Sequence, residues 1–122
     1  MNAERLSGLS VLILEDDYYL AEDSRIALND AGATVLGPCR DAAEMGPWLD
    51  RGVVDCALVD VNLGLGPDFA PARTLLAFGT RVMFITGYDK TVLPEDLAGL
   101  PRLEKPVAGS HIVAAVAKAC GR

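Results

Sequence analysis

The chain has 122 residues, of which 51% are hydrophobic and 23% charged, with a formal net charge of -6. That length holds one domain with a core of its own, expected over residues 1–122, and the composition is that of a folding chain. The acidic balance argues against direct nucleic-acid binding, which needs a basic face to displace counterions. No apolar run approaches the length that spans a bilayer, and Met1 to Arg5 does not lead into a signal-peptide core, so a cytoplasmic protein with no membrane partner is expected.

In chain order, the apolar run 11–14 reads as a buried strand closed by Glu15, Asp16 and Asp17. Helical spacing follows at Leu20, Ser24, Ala27, Leu28 and Ala31, with Gly32 as the stop. A second strand is expected at 34–36 and a second helix at 42–49, with Trp48 packed on it. The run 56–59 is a third strand, followed by Asp60 and Asn62. Gly64-Leu65-Gly66 is too short for a nucleotide loop and reads as a turn. Residues 69–78 form a third helix stopped by Gly79, and 82–85 a fourth strand closed by Thr86 and Gly87. Residues 89–100 contain Pro94 and Gly99 and end before Pro101, which makes the fourth helix the weakest. A short strand around Leu103, closed by Lys105 and Pro106, and a helix over 112–120 complete the chain.

Strand and helix alternate throughout, which predicts an α/β fold with a mostly parallel sheet and helices on both faces. Cys39, Cys56 and Cys120 show no paired spacing, so neither a zinc site nor a disulfide framework is expected. His111, the single histidine, opens the last helix and reads as a surface residue.

In an open parallel sheet the ligand site lies beyond the carboxyl ends of the strands. Four of the five ends here carry polar groups, and together they bring Glu15, Asp16, Asp60, Asn62, Thr86, Gly87, Lys105 and Pro106 into one region. Clustered carboxylates repel unless a cation sits among them, and Mg²⁺ suits a few oxygen ligands with room left for phosphate; Mn²⁺ is the natural substitute. An aspartate can attack phosphorus when cations neutralise the equatorial oxygens. Lys105 and the metal would supply that charge, Thr86 a hydrogen bond, and Gly87 the space. Asp17 has an equally good reading as a helix cap. A carboxylate at the end of a buried strand costs stability unless paired, which favours a functional role for Asp60.

The set Leu14-Glu15-Asp16-Asp17, Leu58-Val59-Asp60, Ile85-Thr86-Gly87 and Lys105-Pro106 resembles the receiver domain of two-component response regulators across essentially the whole chain. The resemblance implies a doubly wound, flavodoxin-like sheet of five parallel strands in order 2-1-3-4-5 with five helices. It also implies phosphoryl transfer from a histidine-kinase phosphohistidine onto Asp60. Mg²⁺ would be held by Asp16, Asp60 and the backbone carbonyl of Asn62, with Glu15 acting through water. Thr86 resembles the switch threonine and Lys105 the phosphate-facing lysine, its bond to Pro106 commonly cis. One departure is Arg102, which stands where receivers usually place Tyr or Phe. The stretches 60–64 and 84–88, with Leu93-Pro94, resemble the FAT GUY subgroup, in which that aromatic is also missing. Its members work with HWE or HisKA_2 kinases. The implied partners are such a sensor kinase or a phosphotransfer protein, and a downstream protein target, for a monomer or weak dimer that is not a turnover enzyme.

Without the aromatic, the expected switch is a segment of low local stability, 88–100, with Tyr88, Pro94 and Arg102 in play; Thr86 would order it, and Arg102 would meet the partner. A haloacid-dehalogenase-type phosphohydrolase would need an Asp-x-Asp motif after the first strand, which Glu15-Asp16-Asp17 lacks. A flavin binder would need a Ser, Thr and Gly loop there. A pseudo-receiver, kept only as an interaction module, is disfavoured by the complete acidic, threonine and lysine set.

Overall fold

The computed structural model describes residues 5–63, 66–87 and 93–122. In chain order the elements are β1 (Ser10–Leu14), α1 (Tyr18–Asp30), β2 (Thr34–Cys39), a 3₁₀ turn (Ala42–Met45), α2 (Gly46–Asp50), β3 (Cys56–Asp60), α3 (Ala70–Ala77), β4 (Arg81–Thr86), a 3₁₀ turn (Glu95–Leu97), β5 (Arg102–Glu104) and α4 (Gly109–Ala119). The strands form one five-stranded sheet in the order β2-β1-β3-β4-β5, every neighbouring pair parallel. The parallel sheet is the one expected from the alternation, and its order is the doubly wound one that the resemblance implies.

Successive strand side chains point to opposite faces, so a strand covered on both sides reads as an unbroken apolar run. Val11, Ile13, Cys56, Leu58, Met83 and Ile85 pack with Leu28 of α1 and Ile112 and Val116 of α4. Leu12, Leu14, Ala57, Val59, Val82 and Phe84 pack on the other face with Ala72 and Leu75 of α3. Gly32 and Gly79 have φ of 96° and 94°, the left-handed conformation that ends a helix most readily in glycine.

Two helical expectations are corrected. The helix expected over 42–49 is broken into a 3₁₀ turn and the five-residue α2, because Gly46-Pro47 ends one unit and starts the next. The fourth helix is replaced, among the described residues, by the 3₁₀ turn Glu95–Leu97. The described residues therefore hold four α-helices, not the five that the resemblance implies. Leu97 is buried, and Leu93 and Leu100 pack on the same core. A bidentate pair from Arg73 to Asp96 also ties the turn to α3. Residues 88–92, including Tyr88, lie outside the described residues.

α1 and α4 meet closely at Gly109, where an added Cβ would stand 2.8 Å from the Cβ of Ala27. Ala27 sits on a helix and cannot swing aside. Gly109→Ala is therefore expected to lose about 1–3 kcal/mol of stability despite the better helix propensity of alanine. Gly46→Ala, with open space around its Cβ, should lose none. Urea denaturation of the two variants checks the difference.

Candidate functional site at the carboxyl ends of the strands

The parallel register builds the site. Leu14 is paired with Val59, so the next residues of the two strands, Glu15 and Asp60, emerge side by side. Asp60 is paired with Ile85, and Thr86 with Glu104, which brings the ends of β4 and β5 to the same edge. Glu15, Asp60 and Thr86 are buried, whereas Asp16 is exposed.

Both buried carboxylates are held. Glu15 Oε2 accepts from the Asp17 amide at 3.2 Å, and Asp60 Oδ1 accepts from the Asn62 amide at 3.0 Å. Lys105 Nζ lies 3.1 Å from Glu15 Oε1 and 3.2 Å from Asp60 Oδ2, so one ammonium bridges two buried carboxyls. Burial pushes the Glu15 carboxyl up to about 8, and the hydrogen bond and negative charge of Asp60 add to the rise. Lys105 opposes it without cancelling it. Burial would lower the Lys105 ammonium, but Glu15 and Asp60 outweigh it and hold its pKa above the ordinary value. Without a metal, the site thus favours a charged Lys105 and a protonated Glu15.

Ligand oxygens of Glu15, Asp16 and Asp60 lie within 4.8 Å of one another. Three hard oxygen donors beside one ammonium suit a divalent cation, since one positive charge does not balance them when all are ionised. The acidic cluster can hold a metal.

The structure brings together Glu15, Asp16, Asp60, Thr86 and Lys105. The side chain of Asn62 is turned to the loop, where its Oδ1 accepts from the Gly66 amide at 3.2 Å. Thr86 Oγ1 faces β5 and donates a long bond of 3.4 Å to the Leu103 carbonyl. Gly87 is exposed with open space where a Cβ would stand, and the Lys105–Pro106 bond is cis. Asp17 is the N-cap of α1, its Oδ1 accepting from the Leu20 amide at 3.1 Å. Arg102 opens β5 with an exposed side chain, opposite Phe84, and Pro94 precedes the Glu95–Leu97 turn; neither is among the residues of the acidic cluster. Sequence reasoning missed the double grip of Lys105, whose second partner, Glu15, could be inferred only from the β1–β3 register.

Solved structures share this fold. The signal receiver domain of a modulated diguanylate cyclase from Desulfovibrio desulfuricans G20 superposes with a TM-score of 0.74 at 27% identity, covering 92% of this chain and 93% of that one. A response regulator receiver protein from Burkholderia phymatum gives 0.77 at 23%, covering 93% and 95%. SdrG from Sphingomonas melonis Fr1 gives 0.73 at 24%, covering 91% and 95%. No family model matches the chain, and no curated protein does. The class that fold and site define is thus an α/β domain with the architecture of response regulator receivers and a metal-competent acidic cluster. Among the described residues no helix is long and apolar enough to cross a membrane.

Proposed function

We propose that the chain is a phosphorylation-dependent signalling domain, a receiver that takes a phosphoryl group onto Asp60 from a phosphohistidine of a sensor kinase. The observation that carries this is Asp60 itself, a buried carboxylate at the end of β3, gripped by Lys105 at 3.2 Å beside Glu15 and Asp16. Asp16, Asp60 and the Asn62 carbonyl would hold Mg²⁺, or Mn²⁺ in its place, with Glu15 in support. When bound, the cation neutralises charge on the equatorial oxygens of the phosphoryl group.

An Asp60 oxygen attacks phosphorus, and the bond from phosphorus to the donor imidazole breaks. The electron pair stays on that nitrogen, which takes up a proton. Lys105 already lies at Asp60 and needs only to exchange carboxylate oxygens for phosphoryl oxygens. Thr86 can trade its weak bond to Leu103 for a phosphoryl oxygen. The exposed Arg102 at the start of β5, where receivers usually carry an aromatic, supports assignment to the FAT GUY subgroup. It also favours HWE or HisKA_2 kinases as donors, and Arg102 is then a contact for a protein target. The location is cytoplasmic, and the domain works through protein contacts with no nucleic acid.

The test is incubation with acetyl phosphate and Mg²⁺, which should add the mass of one phosphoryl group, labile to hydroxylamine. No mass gain under conditions that label other receivers overturns the reading. Lys105→Ala should weaken the response to beryllofluoride, a tetrahedral phosphoryl mimic, by roughly ten-fold or more while changing Mg²⁺ affinity much less. Titrations of each ligand by intrinsic fluorescence separate the two, and equal losses would make Lys105 a structural residue.

A further inference from the structure

Ser24 interrupts the apolar side of α1. The buried residues of that helix are Ala21, Ser24 and Leu28, spaced as one face toward the sheet, and Ser24 is only 6% exposed. Its hydroxyl makes no hydrogen bond to another described residue. A buried hydroxyl without a partner costs stability, so something other than packed protein is expected to meet it.

The space for a partner is there. Ser24 lines a small pocket between α1, the end of β4 and the start of α4, together with Glu15, Asp23, Lys105, Ile85 and Ile112. Its volume of about 30 Å³ exceeds the roughly 10–15 Å³ that one water needs, and is far too small for an organic ligand. An apolar cavity of this size stays dry, but here the side chains of Glu15, Asp23, Ser24 and Lys105 all reach the wall. Asp23 is exposed, so solvent can enter on its side. Lys105 supplies a second argument. Its Nζ contacts Glu15 and Asp60, and an ammonium carries three donors, which leaves one N–H to direct into the pocket.

We propose that the pocket is a water-binding site, in which one ordered water accepts from Lys105 Nζ, shares a hydrogen bond with the Ser24 hydroxyl, and so steadies the ammonium beside the acidic cluster. Ser24 is then a positioning residue that acts on Lys105 through this water, a role that rests on the receiver reading of Lys105 given above. Lysine carries its charge on a flexible four-carbon stem, and a contact that narrows its range beforehand lowers the ordering cost when phosphoryl oxygens arrive.

The test compares the full chain with Ser24→Val, which removes the hydroxyl and fills the pocket with methyl groups, and with Ser24→Ala, which only removes the hydroxyl. Crystal structures of the metal-free proteins should show a water within hydrogen-bond distance of Ser24 Oγ and Lys105 Nζ in the parent, and none in Ser24→Val. Both variants should fold, and Ser24→Val should resist urea at least as well as the parent, since valine has a similar helix propensity and buries no hydroxyl. Beryllofluoride affinity should nevertheless fall roughly two- to five-fold in both variants, the scale of one lost water-mediated contact, with Mg²⁺ affinity unchanged. Stability kept while beryllofluoride affinity drops separates positioning from packing. A parent pocket without the water overturns the proposal. So does unchanged beryllofluoride affinity in both variants, or an equal fall in Mg²⁺ affinity. Failure of the receiver reading looks different: the parent then holds the water but takes neither beryllofluoride nor a phosphoryl group, and the role at Lys105 falls with it.

Discussion

Asp60→Asn should lose the hydroxylamine-labile phosphoryl label from acetyl phosphate or a cognate kinase, at least about a hundred-fold and to below detection. The amide has the shape of the carboxylate and keeps an oxygen that can accept from the Asn62 amide, which donates to Asp60 at 3.0 Å. What it lacks is the charged oxygen proposed to attack phosphorus. The fold should survive, since Asn removes a negative charge from beside Glu15, whose rise in pKa Asp60 helps to cause. In the absence of metal the variant should be as stable as the parent or more so. Circular dichroism and urea denaturation check the fold, and a filter assay checks the label. A variant that still carries the labile label would move the acceptor to another carboxylate of the cluster, Glu15 or Asp16.

Most of the site was legible because the strands are legible. Runs such as 56–59 are apolar without alternation, which marks strands covered on both faces, and parallel strands in one sheet end together. Once Asp60, Glu15, Thr86 and Lys105 each close such a run, their convergence follows from topology alone. What stayed hidden depends on register and on local chain geometry. Glu15 and Asp60 meet because Leu14 pairs with Val59, a one-residue detail that composition does not carry. Asp17 could cap α1 or join the acidic cluster, and the backbone position of Leu20 decided for the cap. The second helix fails where Gly46-Pro47 breaks it.

The second large effect is on stability and concerns Glu15. Its carboxyl stands near 8 in the folded, metal-free protein against 4.5 ordinarily, raised chiefly by burial and then by Asp60. Between those values the unfolded chain has released a proton that the folded chain still holds. Stability therefore falls as pH rises through this window, by at most about 5 kcal/mol. The contribution is fully present below about 4.5 and gone above about 8. Other carboxylates act the opposite way at low pH; Asp96, whose pKa is lowered by Arg73, is one of them. The effect must therefore be read as a difference between variants. Glu15→Gln, which has no proton to lose, should flatten the decline between pH 5 and 8 in EDTA. Mg²⁺ should act in the opposite sense, stabilising the parent more at pH 8 than at pH 5, because ionised oxygens bind a cation and a protonated carboxyl does not. Asp16→Asn should remove most of that gain while leaving the metal-free decline intact, since its carboxylate is exposed and Glu15 owes its shift to other groups. Urea denaturation of the three proteins across this range, with and without Mg²⁺, is the measurement. Parallel curves for parent and Glu15→Gln in EDTA would mean that Glu15 is ionised in the metal-free fold. The compensating charge would then have to come from Lys105 alone.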